Sequence, residues 1–176
     1  LARNQWASGD NNSAISRLEL WLEGNPEDKR ALMVIAEYLF AANRPEEAKK
    51  AYKTLGDLIP DNDTVLNNLA WLMMDTDVDQ GIIYAKKALK INPEGPYIKD
   101  TLAMLLLKSG QNKEALVYSE EAANSAPNDF DILINYSKIL RANGHKTEAR
   151  KVLTDLLANI KDSNKRREIQ NELNKL

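Results

Sequence analysis

Apolar side chains recur along most of the chain at the spacing of one helical face. In the segments ALMVIAEYLFAA (residues 31–42) and DTLAMLLLKSG (residues 100–110), they occupy positions i, i+3, i+4 and i+7. The stretches AKKAYKTLGDL (48–58) and Ile82 to Ile91 follow the same rule. This spacing predicts that the chain is built from helices.

Residues that end and begin helices separate these segments. Asn43, Gly110 and Gly144 fall at equivalent places, and residues of these types tolerate the left-handed conformation that ends a helix. Pro45 suits the first turn of the helix that follows. The predicted N-caps are Asp10, Asp61 and Asn128. The predicted helices cover about residues 1–8, 10–23, 27–42, 45–58, 62–75, 78–91, 96–109, 111–124, 128–142, 145–159 and 162–176.

The helices repeat in pairs with a period near 34 residues. One series consists of prolines with spacings of 34, 33 and 34: Pro26, Pro60, Pro93 and Pro127. Two series of small residues keep the same period: Ala14, Ala48, Gly81, Ala115 and Ala149, and Ala2, Ala36, Ala70, Ala103 and Ser137. Since only a small side chain lets two helix backbones approach closely, each unit is predicted to be an antiparallel helix pair.

A helix pair of this length and pattern resembles the tetratricopeptide repeat. The segment Leu102–Pro127 has that family's Leu-Ala pair, its turn glycine Gly110, its alanines Ala115 and Ala122, and its final proline. Three other segments match as well: Leu1–Pro26, Ile35–Pro60 with Asn43 replacing the glycine, and Leu69–Pro93 with one residue deleted in the turn. The resemblance implies an all-α, right-handed superhelix, a solenoid of antiparallel helix pairs.

The period also divides the chain into units. They are a truncated repeat at 1–26, full repeats at 27–60, 61–93, 94–127 and 128–161, and a polar C-terminal capping helix at 162–176. A solenoid end needs such a cap because its last repeat would otherwise expose a stacking face. Since the first repeat begins in mid-helix, we expect further repeats to precede Leu1.

Composition narrows the function classes. The 176 residues carry a formal net charge of −2, which argues against nucleic acid as a partner. The absence of cysteine removes disulfides, thiolate nucleophiles and Cys-based zinc sites. No apolar run approaches the ~20 residues that cross a bilayer, so this part of the chain is not expected to insert into a membrane.

No motif indicates catalysis. The seven glycines are too dispersed for a phosphate-binding loop. The single histidine, His145, is interpreted as a solvated turn residue. Asp75, Asp77 and Asp79 alternate as calcium ligands do, but Gln80 replaces the glycine that such a loop needs, so a polar turn with a helix cap is favoured. The prediction is therefore no enzyme, no cofactor and no metal, and the basic run at 165–167 is interpreted as part of a solvated cap helix.

The resemblance implies binding through a concave groove lined by the first helix of each pair. The predicted partner-binding residues are Trp6, Met33, Glu37, Phe40, Asn67, Asn68, Trp71, Met74, Tyr97, Met104, Asn135, Lys138 and Arg141. Further positions counted to the same face are Arg3, Arg30, Val34, Asp100, Thr101, Leu107, Asp131 and Ile134. This face is unusually apolar for a wet surface, which favours a protein or peptide ligand. The alternative is that superhelical twist buries several of these side chains as core.

The resemblance also implies what kind of peptide to expect. Asn68 and Asn135 stand where the family often holds the backbone of an extended peptide, and an Asn side chain can donate and accept together. The Lys, Asn and Arg residues with which one subfamily clamps the C-terminal carboxylates of chaperones are missing. The corresponding positions hold Met33, Glu37, Asn67, Trp71, Tyr97 and Thr101, so such tails are not expected as ligands.

A closer resemblance suggests a biological setting. The motif Asn-Asn-Leu-Ala-Trp (67–71), the short turn at 75–81, Asp-Thr-Leu (100–102) and Ala-Arg-Lys-Val-Leu (149–153) look like the C-terminal repeats of bacterial lipoproteins in exopolysaccharide export and exosortase sorting. That family implies a periplasmic, outer-membrane-tethered protein, with a cytoplasmic location as the alternative. The rival functions are a self-associating module that stacks through an open N-terminal end, and an accessory domain of a larger enzyme or secretion complex.

Overall fold

The computed structural model describes residues 1–176 and consists of eleven helices without strands. They are α1 (Ala2–Ala7), α2 (Asn11–Gly24), α3 (Lys29–Ala41), α4 (Pro45–Leu58), α5 (Asp63–Leu72), α6 (Val78–Ile91), α7 (Pro96–Lys108), α8 (Asn112–Ser125), α9 (Phe130–Ala142), α10 (Lys146–Asn159) and α11 (Ser163–Leu173). Helices α1 to α10 pack as five consecutive pairs, and α11 covers the last pair. The all-α array of helix pairs that the sequence predicts is confirmed.

Side chains at the helix starts satisfy backbone N–H groups that have no partner inside the helix. Asp10 caps α2, as predicted. The predicted caps Asp61 and Asn128 are wrong by one residue, because α5 and α9 begin later than expected. Asn62 Oδ1 accepts from the Val65 N–H at 2.9 Å, and Asp129 Oδ1 accepts from the Asp131 and Ile132 N–H groups at 3.1 Å each.

Left-handed residues close the turns inside four of the five pairs. Asn43 (φ 58°), Gly110 (φ 80°) and Gly144 (φ 85°) adopt this conformation as predicted, and Gly9 (φ 85°) does so in the first pair. The third pair differs, since α5 ends at Leu72 instead of near residue 75. A polar turn follows it, and Asp77 then caps α6 by accepting from the Gln80 N–H, in agreement with the turn interpretation.

Small residues stand where paired helices cross. Ala14, Ala48, Ala115 and Ala149 are completely buried. At Gly81, a Cβ atom would lie 2.8 Å from Leu105 Cδ2 and 3.1 Å from the Ala70 carbonyl oxygen, so any larger residue would require these neighbours to shift. The periodic small residues therefore mark close backbone approach.

The C-terminal helix α11 is bound to the array by the apolar side chains of Ile169 and Leu173 and by several polar contacts. Ile169 is fully buried beside Phe130, Ile134, Leu153 and Leu156. The basic run contributes to this docking, because the Arg166 guanidinium donates to the Leu157 and Ile160 carbonyls at 2.8 Å each. None of the eleven helices combines the length and the apolar character that crossing a bilayer requires.

Candidate binding groove

The first helices of the pairs share the inner face of the array. Helix α7 packs against both α5 and α9, whereas α3 makes no close backbone approach to α5. A cavity of about 650 Å³ opens on this face. It is lined by Glu37, Phe40, Tyr52, Asn67, Asn68, Trp71, Leu72, Tyr97, Asp100, Thr101, Asp131, Ile134, Asn135, Lys138 and Glu168. We call this cavity and its walls the groove.

The groove brings together eight of the thirteen predicted binding residues: Glu37, Phe40, Asn67, Asn68, Trp71, Tyr97, Asn135 and Lys138. The other five lie outside its lining. Trp6 stacks on Tyr38 with ring centroids 4.0 Å apart. Both rings, together with Met33, pack on a cluster of buried residues that we call the first core cluster: Ile15, Leu32, Ile35, Ala36, Leu39, Ala48, Ala51, Tyr52, Leu55, Val65 and Leu69. Met74 and Met104 pack against a second core cluster, which consists of Ala70, Ala85, Leu102, Ala103, Leu105, Leu106, Ala115 and Ile139. The Arg141 guanidinium lies 3.9 Å from a Glu172 carboxylate oxygen.

The apolar residues of this face therefore divide into two groups. The methionines and Trp6 are partly buried against the core, as the alternative interpretation holds. Three aromatic side chains remain open at the groove: Phe40 is 46% exposed, Trp71 38% and Tyr97 61%. Large aromatic rings exposed around a cavity are typical of protein interfaces.

Three lining residues were not predicted from the sequence. Tyr52 belongs to a second helix, yet its hydroxyl accepts a hydrogen bond from Asn68 Nδ2 at 2.9 Å inside the groove. Burial raises the pKa of Tyr52 to about 12, against the lowering effect of that bond. Leu72 lies at the end of α5, and Glu168 comes from α11. Tyr52 and Glu168 are missed because the resemblance counts groove positions only on first helices, and Leu72, although on a first helix, is not one of the positions counted.

A polar network forms the groove floor between α7 and α9. Asn135 Nδ2 donates to Asp100 Oδ2 at 2.9 Å, and Lys138 Nζ lies 3.5 Å from Asn135 Oδ1. Asp100 is only 7% exposed, and this burial raises the pKa of its carboxyl to about 7. The bond from Asn135 opposes the shift, while Asp129 and Asp131 add to it.

The two asparagines predicted to hold a peptide backbone already have side-chain partners, Asn135 within this network and Asn68 on the side of the groove formed by α4 and α5. The Asn68 amide donates to Tyr52, and the Asn135 amide donates to Asp100. Two buried acceptors of groove-lining residues have no hydrogen-bond donor: Asn67 Oδ1 on α5 and Asp100 Oδ1 on α7. A buried acceptor without a donor is costly, by ~1–3 kcal/mol, so these two residues are polar groups of the groove whose needs the fold itself leaves unmet.

Tyr97 connects the groove rim to the start of α9. Its hydroxyl donates to Asp129 Oδ2 at 3.1 Å, and this bond to a carboxylate raises the pKa of Tyr97. The other oxygen of Asp129 caps α9. His145, by contrast, does not line the groove; it lies before α10 with Nδ1 2.9 Å from Glu148 Oε2.

A model of the family described as Tetratricopeptide repeat matches residues 7–162. The chain belongs to the tetratricopeptide repeat family. A curated relative of this repeat protein is the mouse interferon-induced protein with tetratricopeptide repeats 3, which is 31% identical over 68 residues. That alignment covers 39% of the chain and spans only 17% of the mouse protein's length.

Solved structures share the fold at low sequence identity. TTC0263, a thermophilic TPR protein of Thermus thermophilus, is 19% identical with a TM-score of 0.78, covering 98% of this chain and 95% of that one. YrrB, described as a TPR protein with an unusual peptide-binding site, is 15% identical with a TM-score of 0.69, covering 97% of this chain and 88% of that one. At these identities, the similarity shows the fold of the tetratricopeptide repeat chain and no more.

Proposed function

We propose that this tetratricopeptide repeat chain is a non-catalytic scaffold that holds a segment of a partner protein in the groove. The observation that carries the proposal is the set of three open aromatic rings around a floor with unpartnered acceptors. Aromatic side chains dominate the binding energy of protein interfaces because they bury much area at little entropic cost. Backbone N–H groups of an extended segment would supply the donors that the floor lacks.

The shape of the groove favours a chain segment over a folded surface. Residues of six helices, α3, α4, α5, α7, α9 and α11, line the cavity, and α3 makes no close backbone approach to α5. A flat protein surface would touch the rim and leave the buried acceptors Asn67 Oδ1 and Asp100 Oδ1 without donors. YrrB, which has the same fold, is described as having a peptide-binding site, and this likeness supports testing peptides first.

The test compares two tryptophans. Peptides selected from a random library on the chain are measured by fluorescence anisotropy against wild type, Trp71→Ala and Trp21→Ala. Trp21 is the matched control, because it is more exposed than Trp71 and lies outside the groove. We expect Trp71→Ala to weaken binding at least tenfold and Trp21→Ala to leave it unchanged. Failure to select any peptide that depends on Trp71 would contradict the proposal.

The closer sequence resemblance supports a setting for this scaffold in bacterial exopolysaccharide export and exosortase sorting, in the periplasm. The carrying motifs include Asn67 to Trp71, of which Asn67, Asn68 and Trp71 line the groove. Osmotic-shock fractionation of the native producer tests the compartment. Recovery of the protein in the cytoplasmic fraction would contradict the periplasmic assignment.

Self-association is the second candidate function. It is supported by two large apolar side chains of α2, Leu20 and Trp21, which are exposed on a helix that contributes nothing to the groove. Light scattering over a concentration series tests this, and Trp21→Ala should lower the apparent mass while Trp71→Ala should not. A strict monomer at high concentration would contradict it.

A further inference from the structure

The groove carries an excess of negative charge. Glu37, Asp100, Asp131 and Glu168 contribute carboxylates, and Lys138 contributes the single ammonium group. They come from four helices, α3, α7, α9 and α11, so no local run of acidic sequence produces this charge. The chain as a whole has a net charge of only −2, which makes the groove a local concentration of negative potential.

Asp100 provides an independent sign of a missing cation. Its side chain lines the cavity, is more than nine-tenths buried, and has one oxygen, Oδ1, without a hydrogen-bond donor. Lys138 does not fill this role, because its Nζ lies against Asn135 Oδ1 and reaches Asp100 only through that amide. A buried carboxylate is normally paired with a cation or with several donors.

The aromatic rim suits a cation as well. Phe40 and Trp71 are exposed at the groove, and the faces of aromatic rings attract ammonium and guanidinium groups. A basic side chain that enters between them lays its apolar stem on the rings and carries its charge to the floor. An acidic segment would meet four carboxylates, and a purely apolar one would leave the Asp100 oxygen unpartnered.

We propose that the partner segment in the groove is basic and that one of its lysine or arginine side chains pairs with the carboxylate of Asp100 at the groove floor. This inference rests on the proposed peptide-binding function and specifies its ligand. Burial raises the pKa of Asp100 to about 7, and a cation beside it would stabilise the ionised carboxylate. The charge of Asp100 is therefore available to the ligand when the segment binds.

The experiment pans a random 12-residue peptide library on the chain at pH 7.5 and measures the winners by fluorescence anisotropy. We expect the winners to share a Lys or Arg. Replacing that residue by norleucine should weaken binding to wild type at least tenfold and to Asp100→Asn less than twofold. Asp57→Asn, an exposed carboxylate of α4 outside the groove, is the matched control and should behave as wild type. Thermal melts establish that Asp100→Asn is folded, and Asp131→Asn repeats the test on the exposed side of the floor.

The outcomes separate this inference from the proposed function. Winners that depend on Trp71 but carry acidic or uncharged side chains would overturn the basic-segment inference alone. The absence of any Trp71-dependent winner would overturn both. Binding of the free amine spermidine as tightly as the basic peptides, with the same loss in Asp100→Asn, would overturn the assignment to a protein segment.

Discussion

The two halves of the array are joined in different ways. Between the first, second and third pairs, the helix backbones approach closely only where α2 meets α3 and where α4 meets α5, and the stacking of Trp6 on Tyr38 adds a side-chain contact of α1 with α3. Between the third, fourth and fifth pairs, the first helices also touch, α5 with α7 and α7 with α9. Helix α7 is thus packed on several sides, whereas the inner face of α3 is open.

This difference decides what a side chain on the inner face does. On α7, even the groove-lining residues Asp100 and Thr101 are buried. On α3, Glu37 and Phe40 are exposed. The same face of the repeat therefore supplies a polar, desolvated floor in one half and an aromatic, wet wall in the other. The groove lies where the two conditions meet.

The largest test of this contrast is the pH dependence of stability. The pKa of Asp100 is about 7 in the folded protein, against a usual value of 3.8. Between these two values the folded state holds a proton that the unfolded state has released, so the free energy of unfolding falls as pH rises from about 4 to about 7. The expected slope is about 1.4 kcal/mol per pH unit. Asp100→Asn should remove this slope and melt at a higher temperature than wild type at pH 8.

The charged groups around Asp100 are Asp129, Asp131 and Lys138 of the α9 region, with Glu37 and Glu168 across the cavity. Glu37→Gln is the matched control on the open α3, and its melts should follow the wild-type pH profile. An unchanged slope in Asp100→Asn would show that the carboxyl is solvated in the folded state.

Overpacking tests the same contrast through volume. Ala115, at the crossing of α8 with α7, is fully buried, so Ala115→Leu should destabilise the fold by ~1–3 kcal/mol or more. Ala41→Leu at the exposed end of α3 should change stability by less than about 0.5 kcal/mol. Urea denaturation compares the two variants, and tolerance of leucine at Ala115 would show that the assigned helix crossing is wrong.

Lys138, the single basic residue of the groove, allows a test in which peptide affinity should rise, whereas the loss of the Asp100 charge should lower it. Lys138→Gln removes a positive charge that repels a basic ligand, so basic peptides should bind up to about fivefold more tightly, since a surface charge contributes up to ~1 kcal/mol. Lys29→Gln, at the exposed start of α3, should have no effect on affinity. Weaker binding to Lys138→Gln would show that its ammonium contacts the ligand favourably.

The smallest expected effect concerns the stability of Trp71→Ala. Trp71 lines the groove and is 38% exposed, so its removal should change the unfolding free energy by less than about 1 kcal/mol. Leu69→Ala, two residues earlier and buried in the first core cluster, should cost ~2–5 kcal/mol. A loss of that size in Trp71→Ala would place Trp71 in the core.

The sequence predicts the helices well because their signals are local. Pro45 starts α4, Gly110 ends a turn, and Ala115 permits a crossing, each through chemistry within a few residues. The predicted caps Asp61 and Asn128 show the limit: the residues that cap α5 and α9 are their neighbours Asn62 and Asp129, and neighbouring residues of similar type compete for one role.

The groove is predicted less completely because it depends on how neighbouring pairs are placed. Met104 and Trp71 both stand at groove positions, yet Met104 packs on the second core cluster and Trp71 stays open. Counting positions within each repeat gives no information on how far apart α3 and α5 lie, and in the structure their backbones do not approach closely. Nor can it find Tyr52 and Glu168, which enter the groove from helices outside the rule.

The single contact between the second and third pairs also has a mechanical consequence. In a solenoid each repeat contacts only its neighbours, so the resistance to bending at each joint depends on the contacts between the two adjacent repeats. Bending or stretching of this array is therefore expected to concentrate at the α4–α5 joint, because the first helices α3 and α5 make no close backbone approach there. A bound segment that contacts both Phe40 and Tyr97 would span this joint, and its binding would make the array more resistant to bending there.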